Sequence, residues 1–303
     1  MIYEIRDDIT RFAGVASYVI NPTNLVGVMG AGLAKTFASI YPDMADRYKF
    51  YCQSKMLRQG QVYRYQISDH AAIINLPTKT HFKYESDVEL IRAGLVAFRT
   101  KILCHRPLAS VALPLLGAGL GKLTEEESRS LIHEVFKDLK TPVLIVDFKC
   151  PSRKIHGVVG TRTFSDLDKI RDVVSLGIST IHMDTGLGDM DAYDGFVSGG
   201  AKGVDAAAPH LAKIFNKSYL EIPAEWDTFG KRSGHIRNEL VALLSTSATA
   251  IVNADSKGTW GTIAHFDRLG IPYRLECMPT PLTWQERRAL PRTQKQLLAL
   301  SPR

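Results

Sequence analysis

Short runs rich in Val and Ile recur along the chain with helix-length intervals between them, and this alternation limits the fold more than any other feature. "VASYVIN" (15–21), "AAIINL" (71–76), "ASVALPL" (109–115) and "PVLIVDF" (142–148) leave room for helices over 30–57, 86–104 and 124–139. Strands that alternate with helices predict an α/β domain with a largely parallel sheet. Such a sheet places its ligand loops beyond the C-terminal ends of its strands. The pattern breaks at "KCPSRK" (149–154) and restarts with "IHGVVG" (155–160), "GFVSGG" (195–200), "KSYLEIPA" (217–224), "ATAIVNA" (248–254) and "PYRLEC" (272–277). Helices are expected over 165–177, 203–215, 232–246 and 258–269. The expected division is a first domain over 1–152, a second over 153–278 and a tail over 279–303 with one short helix around 283–290. A length of 303 residues fits two cores.

Several classes are disfavoured. The start, "MIYEIRDDITRF", lacks the apolar core of a signal peptide. No run reaches the length of a membrane helix, so no membrane association is expected. Cys52, Cys104, Cys150 and Cys277 are scattered without a CxxC pair, which suits reduced thiols better than a disulfide frame or a zinc site. No metal motif is present. The tail carries Arg287, Arg288, Arg292, Lys295 and Arg303 against Glu286, more than half of the net charge of +7. Such a tail either attracts a polyanion or is simply solvated.

Three segments fall where the first sheet presents its loops: "NPTNLVGVMGAGLAKTF" (21–37), "INLPTKTHFK" (74–83) and "LLGAGLGKLT" (115–124). Gly27, Gly30 and Gly32 in the first, and Gly117, Gly119 and Gly121 in the third, let backbone amides approach a ligand closely. Each of these two loops leads into a helical pattern whose first amides and dipole favour an anion. Together they suit a diphosphate clasped between them, although either loop alone is equally a tight turn. Neither matches GxxxxGK[ST], the phosphate loop of ATPases.

In the order of these motifs, residues 1–152 resemble the macrodomain family, the ADP-ribose-binding fold. The resemblance implies that Asp8, with Ile9 beside it in "DDIT", receives the adenine amino group. It implies that Gly30, Ala31, Gly32 and Leu33 form the first phosphate and ribose loop, that Gly117, Ala118, Gly119, Leu120 and Gly121 form the second, and that Asn21 and Asn24 face the distal ribose. "NLVGVMGAGLAKTFASIYP" and "NLPTKTHFK" are most similar to the branch containing the DarG antitoxin, whose members reverse ADP-ribosylation of thymidine in DNA. A lysine of the PTK segment is implicated in cleavage there, and that position is Lys79. "THFK" departs from the aromatic "HWR" ending of that branch, which bears on how DNA is positioned. The resemblance further implies ADP-ribose as ligand or product without a cofactor, a toxin partner, and the cytoplasm of a bacterial or phage-infected cell.

Breaking the bond between the ADP-ribosyl anomeric carbon and a base nitrogen requires stabilisation of oxocarbenium-like charge and of the departing base. Glycosidases use paired carboxylates, but 21–37 has no acidic residue and the acids after the third segment begin at Glu125. Lys79 is left as an acid or electrostatic partner of the leaving group, or as a nucleophile toward the opened sugar if burial lowers its pKa. A lysine that only pairs with phosphate or faces solvent stands beside these readings. Asn21 reads as an orienting group, because an amide is not a general base. His81 either stacks on the substrate or braces the loop.

The second domain holds "VVGTRTFS", "FVSGGAKGVDAAAPHLAK", "IPAEWDTFGKRSGHIRN" and "DSKGTWGTI". Gly160, Thr161 and Arg162 end its opening strand. Ser198, Gly199 and Gly200, followed by Lys202, form a strand-to-helix turn, and Ser256, Gly258 and Thr259 open another helix. These turns and the Arg162 cation suit phosphate. Here the sequence resembles the SLOG superfamily of Rossmann-like nucleotide-binding domains, in particular its YspA-like branch, and more distantly the DNA-processing protein DprA. The resemblance implies ribose or base contacts from Asp205, Arg237 and Asn238, with Arg237 equally a brace to an acid, and leaves room for a homo-oligomer formed through this domain. "DSKGTWGTI" lacks the glutamate of the phosphoribohydrolase pattern "PGGxGTxxE".

The function expected is therefore an ADP-ribosyl glycohydrolase acting on ADP-ribosylated nucleic acid, with thymidine-linked ADP-ribose in DNA as substrate. The alternative is a binding module that sequesters ADP-ribose or another NAD-derived signal in phage–host conflict.

Overall fold

The computed structural model describes residues 2–278 apart from 107–108, 140, 148–152, 225 and 255. The basic tail over 279–303 and Cys150 lie outside the described residues. The chain divides into two compact units, one of Met1–Arg153 with Ala224–Ile236, the other of Lys154–Pro223 with the residues from Arg237 onward.

In chain order the first 150 residues form β1 (Ile2–Arg6), β2 (Tyr18–Asn24), α1 (Gly32–Ile40), α2 (Pro42–Gln53), β3 (Tyr63–Gln66), β4 (Ala72–Lys79), α3 (Val88–Lys101), β5 (Val111–Leu113), α4 (Glu125–Phe136) and β6 (Val143–Asp147). The sheet order is β1-β6-β5-β2-β4-β3, and only the β3–β4 pair is antiparallel. Four strands fall on the four apolar runs. The other two were not expected from the sequence. β1 and β3 lie at the sheet edges and alternate half-buried with exposed residues, so they lack the continuous apolar run of a strand covered on both faces. Central strands are fully buried, with Tyr18, Ile20, Ile74, Val111 and Leu113 in one core with Leu95 and Phe98 of α3 and Phe136 of α4. The single helix expected over 30–57 is two helices. Pro42 has no N–H and disfavours helical geometry in the residue before it, and Tyr41 sits at φ −126°, ψ 71° while Pro42 opens α2.

The remaining elements are β7 (Ile155–Gly160), α5 (Leu167–Thr185), β8 (Gly195–Ser198), α6 (Val204–Ile214), β9 (Ser218–Glu221), a single turn α7 (Trp226–Phe229), α8 (Ser233–Leu244), β10 (Ser247–Val252), α9 (Lys257–Leu269) and β11 (Tyr273–Cys277). Their sheet is parallel throughout with order β11-β10-β7-β8-β9. The connection leaves β7 toward β8 on one side and later returns to β10 on the other, and such a reversal opens a crevice at the C-terminal strand ends. Helix α5 continues past 177, where it was expected to end. Gly177 is not a stop but a packing position, since a Cβ there would collide with Thr249 Oγ1 of β10, and the helix ends at Gly186 in left-handed geometry. His156 lies wholly buried in β7, its ring nitrogens bonded to Ser247 Oγ (2.7 Å) and Thr249 Oγ1 (2.9 Å).

Candidate active site and a second ligand cavity

Beyond the C-terminal end of β2 the chain turns sharply around Asn24. Its Nδ2 donates to the Val28 carbonyl (2.6 Å), and its Oδ1 accepts from the Val26 and Val28 amides (3.3 and 3.2 Å). Tyr48 of α2 anchors the same corner, bonding Thr23 Oγ1 (2.8 Å) and donating to the Asn24 carbonyl (3.0 Å). Gly27 is required here: φ is +76°, and a Cβ would come within 2.8 Å of the Lys49 backbone. The loop then enters α1, whose cap, Ala31, offers no side-chain acceptor. The first-turn amides of α1 are therefore open to a ligand.

The loop 115–124 faces this helix start. Gly117 has φ +79°, the Leu123 amide donates back to its carbonyl (3.0 Å), and the Ser86 amide donates to the Gly121 carbonyl (2.9 Å). A Cβ on Gly32 would stand 3.5 Å from Leu120, so the two loops approach closely. Between them lies a cavity of about 730 Å³, within the range of nucleotide-sized sites. Its lining includes Asn24, Gly30, Ala31, Gly32, Leu33, Lys79, Gly117, Gly119, Leu120 and Gly121. Lys79 is the one ionisable side chain in that lining among the described residues. Its Nζ donates to the Leu120 carbonyl (3.2 Å), and burial lowers its pKa while Glu85 opposes the shift.

Some expected residues are placed elsewhere. Asn21 is fully buried outside the cavity lining, its Nδ2 bonded to Asn75 Oδ1 of β4 (2.9 Å). Asp8 caps a short turn, accepting from the Thr10 amide (2.9 Å) and hydroxyl (2.7 Å), and neither it, Ile9 nor Ala118 lines the cavity. Conversely, Thr78, Phe82 and Ser86 line it without having been singled out as site residues. The Ser86 hydroxyl is buried without a hydrogen-bond partner among the described residues. No local pattern marks these three; they belong to the site only because β4 and the segment after it face the glycine loops.

Residues 20–132 match the model of the Macro domain family. The first unit contains a macrodomain. A DNA ADP-ribosyl glycohydrolase of Mycobacterium tuberculosis is 34% identical over 148 residues, 48% of this chain and 42% of that protein. The chain thus spans less than half the length of the curated relative. The solved macrodomain of Mycobacterium tuberculosis DarG is 30% identical and aligns over 48% of this chain and 97% of that one, with a TM-score of 0.45. Thermosipho africanus DarTG, solved in complex with ADP-ribose, is 28% identical over 45% of this chain and 39% of that one, with a TM-score of 0.41.

Separate from the macrodomain cavity, the second unit holds one of about 410 Å³ at the ends of β7 and β8. Gly160, Thr161, Arg162, Gly199, Asp205, Arg237, Asn238, Ser256, Gly258 and Thr259 line it, joined by Thr163, Lys257 and Thr262. Three other expected residues stand outside its lining. Ser198 donates to the Asp205 carbonyl (3.0 Å), Gly200 packs on Glu221, and Lys202 is exposed. Arg237 Nη1 donates to the Gly199 carbonyl (2.8 Å) and Nε to Asn238 Oδ1 (2.9 Å), so it braces the turn at the cavity edge. Asp205 accepts from the Gly160 amide (3.1 Å). Burial pushes its carboxyl up to about 6, against the opposing pull of Arg237 and the amides of Gly160, Ala201 and Gly199.

Proposed function

We propose that the macrodomain hydrolyses ADP-ribose from nucleic acid, with thymidine-linked ADP-ribose in DNA as its substrate. The observation that carries this reading is the position of the Lys79 amine, at the rim of a cavity whose two facing loops offer backbone amides to a diphosphate. The cavity lining supplies no carboxylate among the described residues, so paired-acid chemistry has no local donor. In the proposed step the bond between the anomeric carbon and the base nitrogen breaks with its electron pair going to the base. The Lys79 ammonium gives that base a proton, and the oxygen of a water bonds to the anomeric carbon and releases a proton to solvent. Desolvation suits the amine to this task, because a lowered pKa makes the ammonium a better acid near neutrality. The counterpart of this activity is a toxin that attaches ADP-ribose to DNA. Offering ADP-ribosylated DNA beside ADP-ribosylated protein tests the reading. Free ADP-ribose and unmodified DNA are the expected products, and binding of ADP-ribose with no release from DNA would favour sequestration instead.

For the second unit the proposed role is nucleotide binding of the Rossmann-like SLOG kind. The cations of Arg162, Arg237 and Lys257 and the start of α9 support a phosphate, and Asp205 supports a ribose hydroxyl. Calorimetry of the full chain with a nucleoside phosphate panel should lose one binding event in Arg162→Ala while Lys79→Ala keeps it. An unchanged isotherm in Arg162→Ala would remove the site.

A further inference from the structure

Another hollow of the first unit, about 360 Å³ in volume, lies at the start of β3 and shares no lining residue with the macrodomain cavity. Tyr51 late in α2, Leu57 and Val62 of the segment that follows, and Ile102 just past α3 make its apolar walls, and Arg64 and Lys101 add two cations. The walls are fixed in place. The Arg58 amide donates to Gln61 Oε1 (2.9 Å) and the Gln61 amide to the Arg58 carbonyl (3.1 Å), which closes a turn. Gly60 brings that turn close to α3, since a Cβ there would stand 3.1 Å from Ala93 Cβ. On the inner side Leu57 and Tyr63 pack in one cluster with Tyr48.

Three features of this surface lack a partner. Phe50 is 60% exposed and Met56 59%, and Tyr51 between them is exposed as well, although such a run of large apolar side chains on one surface marks an interaction site. β3 is an edge strand that pairs only with β4, so the backbone groups on its outer side have no strand beside them. Arg64 bonds the neutral Gln66 (2.6 Å), and neither Arg64 nor Lys101 has an acidic partner among the described residues. No carboxylate lines the hollow among those residues either.

We propose that this face receives an extended acidic segment of a partner protein. The segment adds as a strand beside β3, seats an aliphatic side chain in the hollow and sets carboxylates against Arg64 and Lys101. Strand addition satisfies the open backbone edge, and a pocket beside that edge selects the side chain. Charge decides the kind of partner. A second copy of this chain, paired β3 to β3, would crowd the Arg64 cations of both copies onto one short edge, and like charges opposed across strands are destabilising. An acidic segment meets the same cations with the complementary sign. A polynucleotide would meet the cations but leave the apolar walls and the backbone edge unused.

The test pans a phage-displayed random peptide library on the full chain and measures synthetic copies of the selected peptides by fluorescence anisotropy. The selected peptides should carry acids beside alternating aliphatic residues. Met56→Glu and Lys101→Glu, both at exposed positions, should each weaken their binding roughly tenfold while ADP-ribose affinity is unchanged. Alternate amides of an added strand face β3, so methylating one alternating set of peptide nitrogens should abolish binding and methylating the other should be tolerated. Hydrogen exchange of the β3 amides should slow when peptide is bound. Failure to enrich any peptide, or peptide affinity indifferent to both substitutions, overturns the proposal. Equal tolerance of both methylation patterns overturns strand addition and leaves an amphipathic anion in the hollow. Oligonucleotide binding or self-association that Met56→Glu and Lys101→Glu abolish, with no peptide binding, would assign the face to a nucleic acid or to a second copy instead.

Discussion

Replacing Asp205 with Asn should change how the second unit responds to pH. A carboxyl at about 6 in the folded protein and 3.8 in the unfolded chain favours folding fully below about pH 4, and that contribution is lost as pH rises through about 6. Because one pH unit is worth roughly 1 kcal/mol, ionised Asp205 costs more at pH 7.5 than at pH 5, a loss on the order of 1 kcal/mol between them. His156 acts in the opposite sense. Burial lowers it from 6.5 to about 3, so its contribution is present above about pH 6.5 and is lost as pH falls, by about 2 kcal/mol at pH 5. In the wild type the two groups oppose each other, so stability should change less between pH 5 and 7.5 than the histidine alone would make it. In Asp205→Asn the histidine is unopposed and the rise should be about 2 kcal/mol. The assay is urea unfolding at both pH values, read from the β7, β8 and β10 peptides by pulsed hydrogen exchange. The difference in midpoint shift should be on the order of 0.5 M at a slope of about 2 kcal/mol/M. The comparison uses the slope with pH, not the absolute level, because Asn keeps one acceptor but cannot receive every amide that Asp205 receives. Parallel slopes in the two proteins would refute a raised Asp205, and with it the view that a buried acid is kept here at a cost to stability for the sake of a ligand.

In the macrodomain, Gly121→Ala should abolish ADP-ribose binding and lower stability, since a Cβ there stands 2.5 Å from the Gly117 carbonyl oxygen and collides with Ser86 Oγ. Gly30→Ala should fold normally, its nearest neighbour being Val28 Cγ1 at 3.7 Å; thermal melts with calorimetry separate the two. Glu85→Gln removes the charge that holds the Lys79 pKa up against burial. The loss of hydrolysis as the ammonium deprotonates should then move to lower pH, and an unmoved pH profile would show that Glu85 does not act on Lys79.

The parts of the macrodomain site written in consecutive residues were legible. Gly30–Gly32, Gly117, Gly119–Gly121 and Lys79 stand in the sequence at strand ends, and the fold brings them to one cavity. Asn21 shows where that reading stops. On sequence it is a polar residue at the end of an apolar run, and nothing nearby announces that Asn75, its partner across the β2–β4 register, meets it in the core. Phe82 and Ser86 read as ordinary loop residues until loop 115–124 is folded against them. Pro42 breaks the helical stretch into α1 and α2 although one helix was expected over 30–57, and β1 and β3 were hidden because edge strands carry mixed patterns. In the second unit the turn at 198–200 was placed correctly along the chain, but Ser198 serves the turn itself, its hydroxyl donating to the Asp205 carbonyl and accepting from the Gly200 amide, a distinction that needs side-chain direction.

In the proposed reaction the Lys79 amine takes part in removing ADP-ribose from a DNA base. The most direct test of this role is mass spectrometry of a single-stranded oligonucleotide carrying ADP-ribose on one thymidine, incubated with wild type, Lys79→Ala and Lys79→Arg. The wild type should return the unmodified oligonucleotide with free ADP-ribose. Both variants should still bind ADP-ribose but cleave at least about 100-fold more slowly, because alanine removes the amine and arginine keeps the charge without a readily transferable proton. Turnover near the wild-type rate in folded Lys79→Arg would reduce the residue to a source of charge, and turnover near it in Lys79→Ala would remove Lys79 from the reaction.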